Sequence, residues 1–390
     1  MKKCLKILLV LVITAVIGLF CLHRYLECNP LHLGGGPSDP PPARCYAKEQ
    51  EQQRKTQMAQ LEQLAALEFT CKKEERPPLS KETQQLYNYA LYHDLHNMWT
   101  GDKGDDVWNG LARYYRIAAA NGDYKANVRL QYLLNTGRIS TDMPQTEVHN
   151  LNEELAKQLP ATAYYNLYGY LDEDYGVRTE EGGKYAYLRK AADLGSREAQ
   201  YIVAEMLADI EDKEETQEAF KYRLNLVKQL RACASEQGLG DASSNLGSSL
   251  KLNKKYAEAV KSYHQGVKNG DSISASVLRD GFSGKTSKDS LDFLDLAPDE
   301  ERSRRYNIIW NYLTDNDYLQ PKVSDLDEIV PLPPAKLPKW DGKIAFQRWY
   351  EGEAPPKPDE ALVRRLAWRA GLNGETGLDE KTGMPKKLTK

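Results

Sequence analysis

His93 and His96 flank Asp94 at helical spacing, and imidazole and carboxylate are groups that zinc takes as ligands. A metal site needs a third converging ligand or an HExxH frame, and neither is present, so the pair reads as solvated helix histidines. Ser283-Gly284-Lys285-Thr286 imitates the end of a phosphate loop, but Arg279 stands where the loop's first glycine belongs and no strand pattern precedes it; the segment is a turn. Gly247-Ser248-Ser249 has no GxSxG frame for a nucleophile. No CxxC or Cys/His cluster suggests zinc. The remaining concentration of chemistry is Tyr164, Tyr165, Tyr168, Tyr170 and Tyr175 beside Asp172, Glu173 and Asp174. Aromatic rings ringed by charge make good protein contacts, so this group is the candidate partner-binding patch, with a solvated loop and inter-helix packing as the plain alternative. No acid, base and nucleophile converge, so the chain reads as a non-enzymatic binding protein without cofactor or metal.

Those residues sit in a chain of 390 residues with 41% hydrophobic and 28% charged residues, a foldable composition large enough for several domains or one elongated repeat array. The net charge is −3, yet residues 1–30 carry Lys2, Lys3, Lys6 and Arg24 against Glu27 alone. The rest of the chain therefore carries −6, which argues against nucleic acid as a partner. Tyr outnumbers Phe 24 to 6, as expected where helices or partners meet through amphipathic rings.

Residues 7–22 are uncharged and apolar, and snorkelling Lys6 and Arg24 extend them far enough to cross a bilayer. Large residues follow the apolar run where a signal peptidase needs small ones, so an uncleaved anchor (residues 1–26) is favoured over a cleaved signal. The flanking lysines keep the short N-terminus inside, placing the bulk of the chain outside the inner membrane, in a bacterial periplasm. The alternative is a soluble periplasmic protein after cleavage. Cys28, Cys45, Cys71 and Cys233 then face an oxidising space. Residues 48–69 read as one helix about 30 Å long, which separates Cys45 from Cys71. Cys71 with Cys233 is at least as good a pair, and the sequence leaves the choice open.

A linker of Gly and Pro occupies 27–47 and an amphipathic helix 48–70. Beyond it one pattern recurs: small residues, a glycine a few positions on, then a small residue four further. It appears as Ala118-Ala119-Ala120 with Gly122 and Ala126, as Ala191-Ala192 with Gly195 and Ala199, as Ala234 with Gly238 and Ala242, and as Gly266 with Gly270 and Ser274. The glycines are 73, 43 and 32 residues apart, and the longest gap holds a degenerate unit around 127–176. Alanine lets two helices cross closely, and glycine ends a helix in the left-handed conformation.

Gly176-Val177, Lys184, Tyr187, Lys190-Ala191-Ala192, Gly195 and Ala199 resemble the Sel-one-like repeat (SLR), a relative of the tetratricopeptide repeat. The resemblance runs over 163–207, extends to 108–134 and, in part, to 230–278. It implies an all-α solenoid of helix-turn-helix units over 79–282, closed by a helical and Pro-rich cap at 283–376. Residues 377–390 are expected to be frayed. In that cap, Pro298-Asp299-Glu300 opens one helix and Pro358-Asp359-Glu360 another, the latter ending at Gly371 with Leu362, Leu366 and Trp368 as candidates for its buried side. SLR proteins are adaptors that share no catalytic residues. Membrane-tethered or exported arrays resembling them recur as immunity proteins against type VI secretion effectors, phospholipases above all. The resemblance therefore implies binding to a secreted toxin, with a periplasmic scaffold for envelope enzymes or signalling complexes as the alternative.

Overall fold

The computed structural model describes residues 69–98, 104–211, 216–290 and 293–386. Chain contacts separate residues 1–66 from 67–390. The first unit, with the expected anchor, linker and most of the amphipathic helix, lies outside the described residues. Among the described residues no helix is long and apolar enough to cross a membrane.

These residues form fifteen α-helices. Twelve make six antiparallel hairpins: α1 (Lys81–Leu95) with α2 (Gly104–Ala120), α3 (Tyr124–Asn135) with α4 (Pro144–Ala156), and α5 (Pro160–Asp172) with α6 (Gly183–Leu194). The series continues with α7 (Arg197–Ala208) and α8 (Gln217–Glu236), α9 (Gly240–Leu252) and α10 (Tyr256–Lys268), and α11 (Ser272–Phe282) and α12 (Glu300–Asp315). Each second helix also packs on the first helix of the next hairpin, the arrangement of a solenoid. An arm follows with the short α13 (Leu326–Ile329) and α14 (Ala345–Tyr350) and the longer α15 (Glu360–Ala370).

The repeat residues do what their chemistry allows. Gly122, Gly195, Gly238 and Gly270 all have positive φ, between 85° and 107°, just beyond α2, α6, α8 and α10. A Cβ on Gly270 would lie 2.1 Å from the Pro321 carbonyl oxygen, and one on Gly195 would lie 2.7 Å from the Glu74 amide nitrogen. At these two turns glycine is required by φ and by a crossing backbone together. Ala126, Ala199, Ala242 and Ser274, four residues on, are fully buried. Ala119, Ala191 and Ala192 are buried on the preceding helices. The degenerate unit is the α4–α5 junction, where Pro160 at the start of α5 replaces the glycine device.

Two further segments bind the stack together. Residues 69–80 run extended across the turns. Cys71 is disulfide-bonded to Cys233 near the end of α8, and the Lys72 carbonyl accepts from Gln200 Nε2 at 2.9 Å. Glu74 Oε1 accepts from the Ala161 amide at 2.6 Å, supplying the cap that Leu159 cannot give α5. Leu79 then packs on Leu155, Leu159 and Ala163.

The arm joins two separate cores. Val323, Leu326, Ile329, Val330 and Ile344 complete the core of α9–α12, whereas Val363, Leu366, Ala367, Ala370 and Leu372 complete that of α1–α4. Arg302 and Arg305 on α12 are buried and pin the arm through its carbonyls: Arg305 donates to Ile329 O at 2.6 Å and to Pro338 O at 2.7 Å. At the other end, Asn121 Nδ2 donates to Leu366 O at 3.0 Å, and Tyr92 OH donates to Gly352 O at 2.8 Å.

Two expectations for the C-terminus need correction. Trp368 is not on the buried side of α15: its side chain is 83% exposed, because the buried stripe is Val363, Leu366, Ala367 and Ala370, at the i, i+3, i+4, i+7 spacing, and Trp368 falls outside it. Nor is the chain frayed directly beyond Thr376. Residues 373–384 make two successive six-residue loops in which Asn373 Oδ1 and Asp379 Oδ1 each accept two backbone amides and a threonine hydroxyl. A Cβ on Gly377 would lie 2.7 Å from the Arg116 Cβ, which shows how closely the first loop sits on α2.

Candidate partner-binding surface

Groups able to move protons would mark an enzyme. The clearest series is Asp327–His264–Tyr306. Asp327 Oδ1 lies 2.8 Å from His264 Nε2, and Tyr306 OH lies 2.8 Å from Nδ1. A carboxylate only accepts, so Nε2 carries the hydrogen and Nδ1 accepts from the phenol. Burial pushes the Tyr306 phenol far above its ordinary range and holds the His264 imidazole below its own. Tyr306 is fully buried with its ring stacked on Phe282, so no substrate reaches its oxygen. The series is a strut joining α10, α12 and α13. Sequence reasoning did not single out His264, since its partners lie 42 and 63 residues away.

His93 and His96 do not converge on a metal. His96 is stacked between Tyr92 and Tyr350, with ring centroids at 4.1 and 4.0 Å, and its Nε2 lies 3.0 Å from Tyr350 O. Asp94 between them points inward, where it accepts from Trp108 Nε1, Tyr115 OH and Arg129. Among the described residues no three His, Cys, Asp or Glu side chains are grouped to hold a metal. Gly247 lies on α9 against the Tyr263 ring, and Gly284 sits in a turn against Pro298. A partly open cavity of about 220 Å³ lies between the C-terminal loops and α2–α4. Its Arg116 and Glu147 are paired to each other at 2.6 Å, which leaves neither charge for a ligand.

The tyrosine group divides into two. Tyr170 is 7% exposed, its hydroxyl donates to Gln131 Oε1 at 2.5 Å, and burial pushes its phenol up to about 12. Tyr175 follows it inward, packing against Tyr170 and His149 and joining the α1–α4 core as a half-buried member. Tyr170 therefore leaves the candidate patch: on α5 it points back at α3, the previous hairpin. Tyr164, Tyr165 and Tyr168 remain half-buried toward α6 and the surface. Tyr164 stacks on Tyr187 and carries Lys190 Nζ 4.3 Å from its ring centroid. Tyr165, Tyr168 and Tyr185 follow at centroid spacings of 6.3 Å. Burial and the nearby Asp172 carboxylate hold Tyr168 up at about 12, so its phenol stays a neutral donor near neutral pH.

The acidic part is less uniform than the sequence suggests. Asp172 is tied to Lys184, and Asp174 lies 3.8 Å from Arg178, while Glu173 is exposed. The surface is thus a row of phenols with paired charges at its edge, suited to a polar protein face more than to an inorganic ion. Tyr185 and Tyr187 belong to it and were missed. The signal was present, since α6 reads Lys184-Tyr185-Ala186-Tyr187 and faces α5.

Comparison with known proteins bears on the fold. A family model described as a domain of unknown function, DUF6396, matches residues 274–385, from α11 to the second C-terminal loop. No curated protein matches the chain significantly. Among solved structures, the immunity protein PA5088 from Pseudomonas aeruginosa has a TM-score of 0.51 at 21% identity, covering 68% of this chain and 95% of that one. Pseudomonas aeruginosa PA5086 has a TM-score of 0.49 at 23% identity over the same shares of the two chains. A Sel1 repeat protein from Oxalobacter formigenes has 0.39 at 17% identity, covering 60% of this chain and 98% of that one. At 21% identity the likeness to PA5088 is one of fold. The described residues form a solenoid of helical hairpins, whose last hairpin and returning arm carry the DUF6396 match.

Proposed function

We propose that the protein is an immunity protein that neutralises a secreted toxin by direct contact, with a type VI secretion effector of the phospholipase class as the target. The observation that carries this reading is the combination of a solenoid like that of an immunity protein with a surface row of half-buried phenols. The apolar segment 7–22 supports placement at the inner membrane with the solenoid outside. The Cys71–Cys233 bond supports the same side, since such bonds persist in oxidising spaces. Tethering there raises the inhibitor's local concentration at the bilayer the toxin would attack.

The test is protection. Cells lacking the gene are expected to lyse or stop growing when the effector encoded beside it is delivered to the periplasm, and to recover on complementation. Indifference to that delivery overturns the proposal, and recovery of envelope enzymes in place of a toxin by affinity capture would favour a scaffold. Replacing both Tyr165 and Tyr168 by Ala is expected to weaken binding by about tenfold or more at unchanged fold, read by titration calorimetry and circular dichroism.

A further inference from the structure

Trp368 has the largest exposed fraction among the exposed large hydrophobic residues described, and the packing of its own helix does not account for it. α15 is fully served by Val363, Leu366, Ala367 and Ala370 against α2, yet it carries an indole on the opposite side. Arg364 and Arg365 stand one helical turn before Trp368 on the same face, and Arg369 follows it. Two of these arginines are held in place: Arg365 pairs with Glu82 on α1, and Arg369 Nε donates to Asn121 Oδ1, just beyond the end of α2, at 2.7 Å. Arg364 is exposed and has no ion-pair partner among the described residues. Arg369, bonded to a neutral amide, keeps its full positive charge, whereas Arg365 shares its charge with Glu82.

We infer that Trp368 with Arg364, Arg365 and Arg369 is a docking knob for a protein partner that presents an apolar pocket rimmed by carboxylates. Trp and Arg are the side chains that most often carry binding energy at protein interfaces, and here they are combined on one exposed helix face. The positive collar stands on a chain whose residues 31–390 carry −6, so it is a local feature matched to an acidic surface. An anionic bilayer fits less well. A helix lying in a membrane surface needs a broad apolar stripe, whereas the outer face of α15 has one large apolar residue among arginines. The knob is remote in sequence from the tyrosine row and adds a second anchor. The inference rests on the immunity reading, with the toxin as the protein that carries the pocket.

The experiment is calorimetric titration of the full chain in detergent with the effector encoded beside it, for wild type, Trp368→Ala and Arg364→Glu. Both sites are exposed, so melting curves are expected to coincide. Trp368→Ala is expected to raise Kd about thirtyfold or more, and Arg364→Glu to slow association in a way that added salt abolishes. If wild type binds and both variants bind within about twofold of it, the knob is overturned while the immunity reading stands. If wild type does not bind, both fall. Loss of a homodimer in Trp368→Ala by light scattering, or loss of binding to phosphatidylglycerol vesicles with toxin binding intact, would also overturn it by naming a different occupant.

Discussion

Single positions decide where backbones may cross. Gly270 shows this most sharply, because its φ of 85° already disfavours any side chain and the arm's Pro321 carbonyl occupies the site of a Cβ. Gly270→Ala is expected to cost about 2 kcal/mol or more and to loosen residues 321–330 first, seen as a lower denaturant midpoint and faster amide exchange there. Gly342, also at positive φ but with open space around it, should cost less on the same substitution. The glycines were legible in the sequence by spacing. That a distant carbonyl lies over one of them was not, since nothing local marks a contact 51 residues away. Trp368 teaches the converse lesson: it was grouped with Leu362 and Leu366 on the buried side, whereas helical period counted from Val363 puts it outside.

Between elements, buried polar clusters hold helices from different hairpins together. Asp94 on α1 is fully buried and joins Trp108 and Tyr115 on α2 to Arg129 on α3, whose guanidinium Nε lies 2.7 Å away. Burial and the Asp94 carboxylate push the Tyr115 phenol well above its usual range. Asp94→Ala would strand Arg129 and two donors in the interior and is expected to destabilise by about 3–5 kcal/mol in urea unfolding. His264 gives a pH dependence. Burial, with Lys268 adding to it, holds the imidazole below its ordinary 6.5 despite the opposing pull of Asp327. The folded state therefore binds fewer protons than the unfolded one. The contribution is complete above about pH 6.5 and is lost as pH falls below that toward the lower folded value. Wild type is expected to melt lower at pH 5.5 than at 7.5. His264→Gln should narrow that gap, and an unchanged gap would show that the strut does not titrate. None of these clusters could be read from local sequence, because each draws on two or three helices.

For the molecule as a whole, the hairpin array was legible and its closure was not. Alanine and glycine spacing announced the units ending at α2, α6, α8 and α10, but not the junction at Pro160, where no glycine marks the turn, nor α12, which was expected in the cap and pairs with α11. The return of the arm from α12 to α1 and α2 depends on Arg302 and Arg305 gripping carbonyls, which no periodicity encodes. Among the cysteines, the choice of Cys233 for Cys71 depends on where the extended segment runs. Replacing Cys71 by Ser opens a loop of 162 residues and is expected to cost about 3–5 kcal/mol, measurable as a lowered melting temperature that reductant reproduces in wild type.

That cross-link also decides how the protein would answer a pull. Cys71 stands just after the N-terminal unit, and Cys233 lies in the last turn of α8. Tension applied at the N-terminus passes through sulfur straight to the end of α8, bypassing the backbone between the two cysteines. A chain drawn from its leading end should therefore yield first beyond Cys233, and only a reduced chain should unravel from α1.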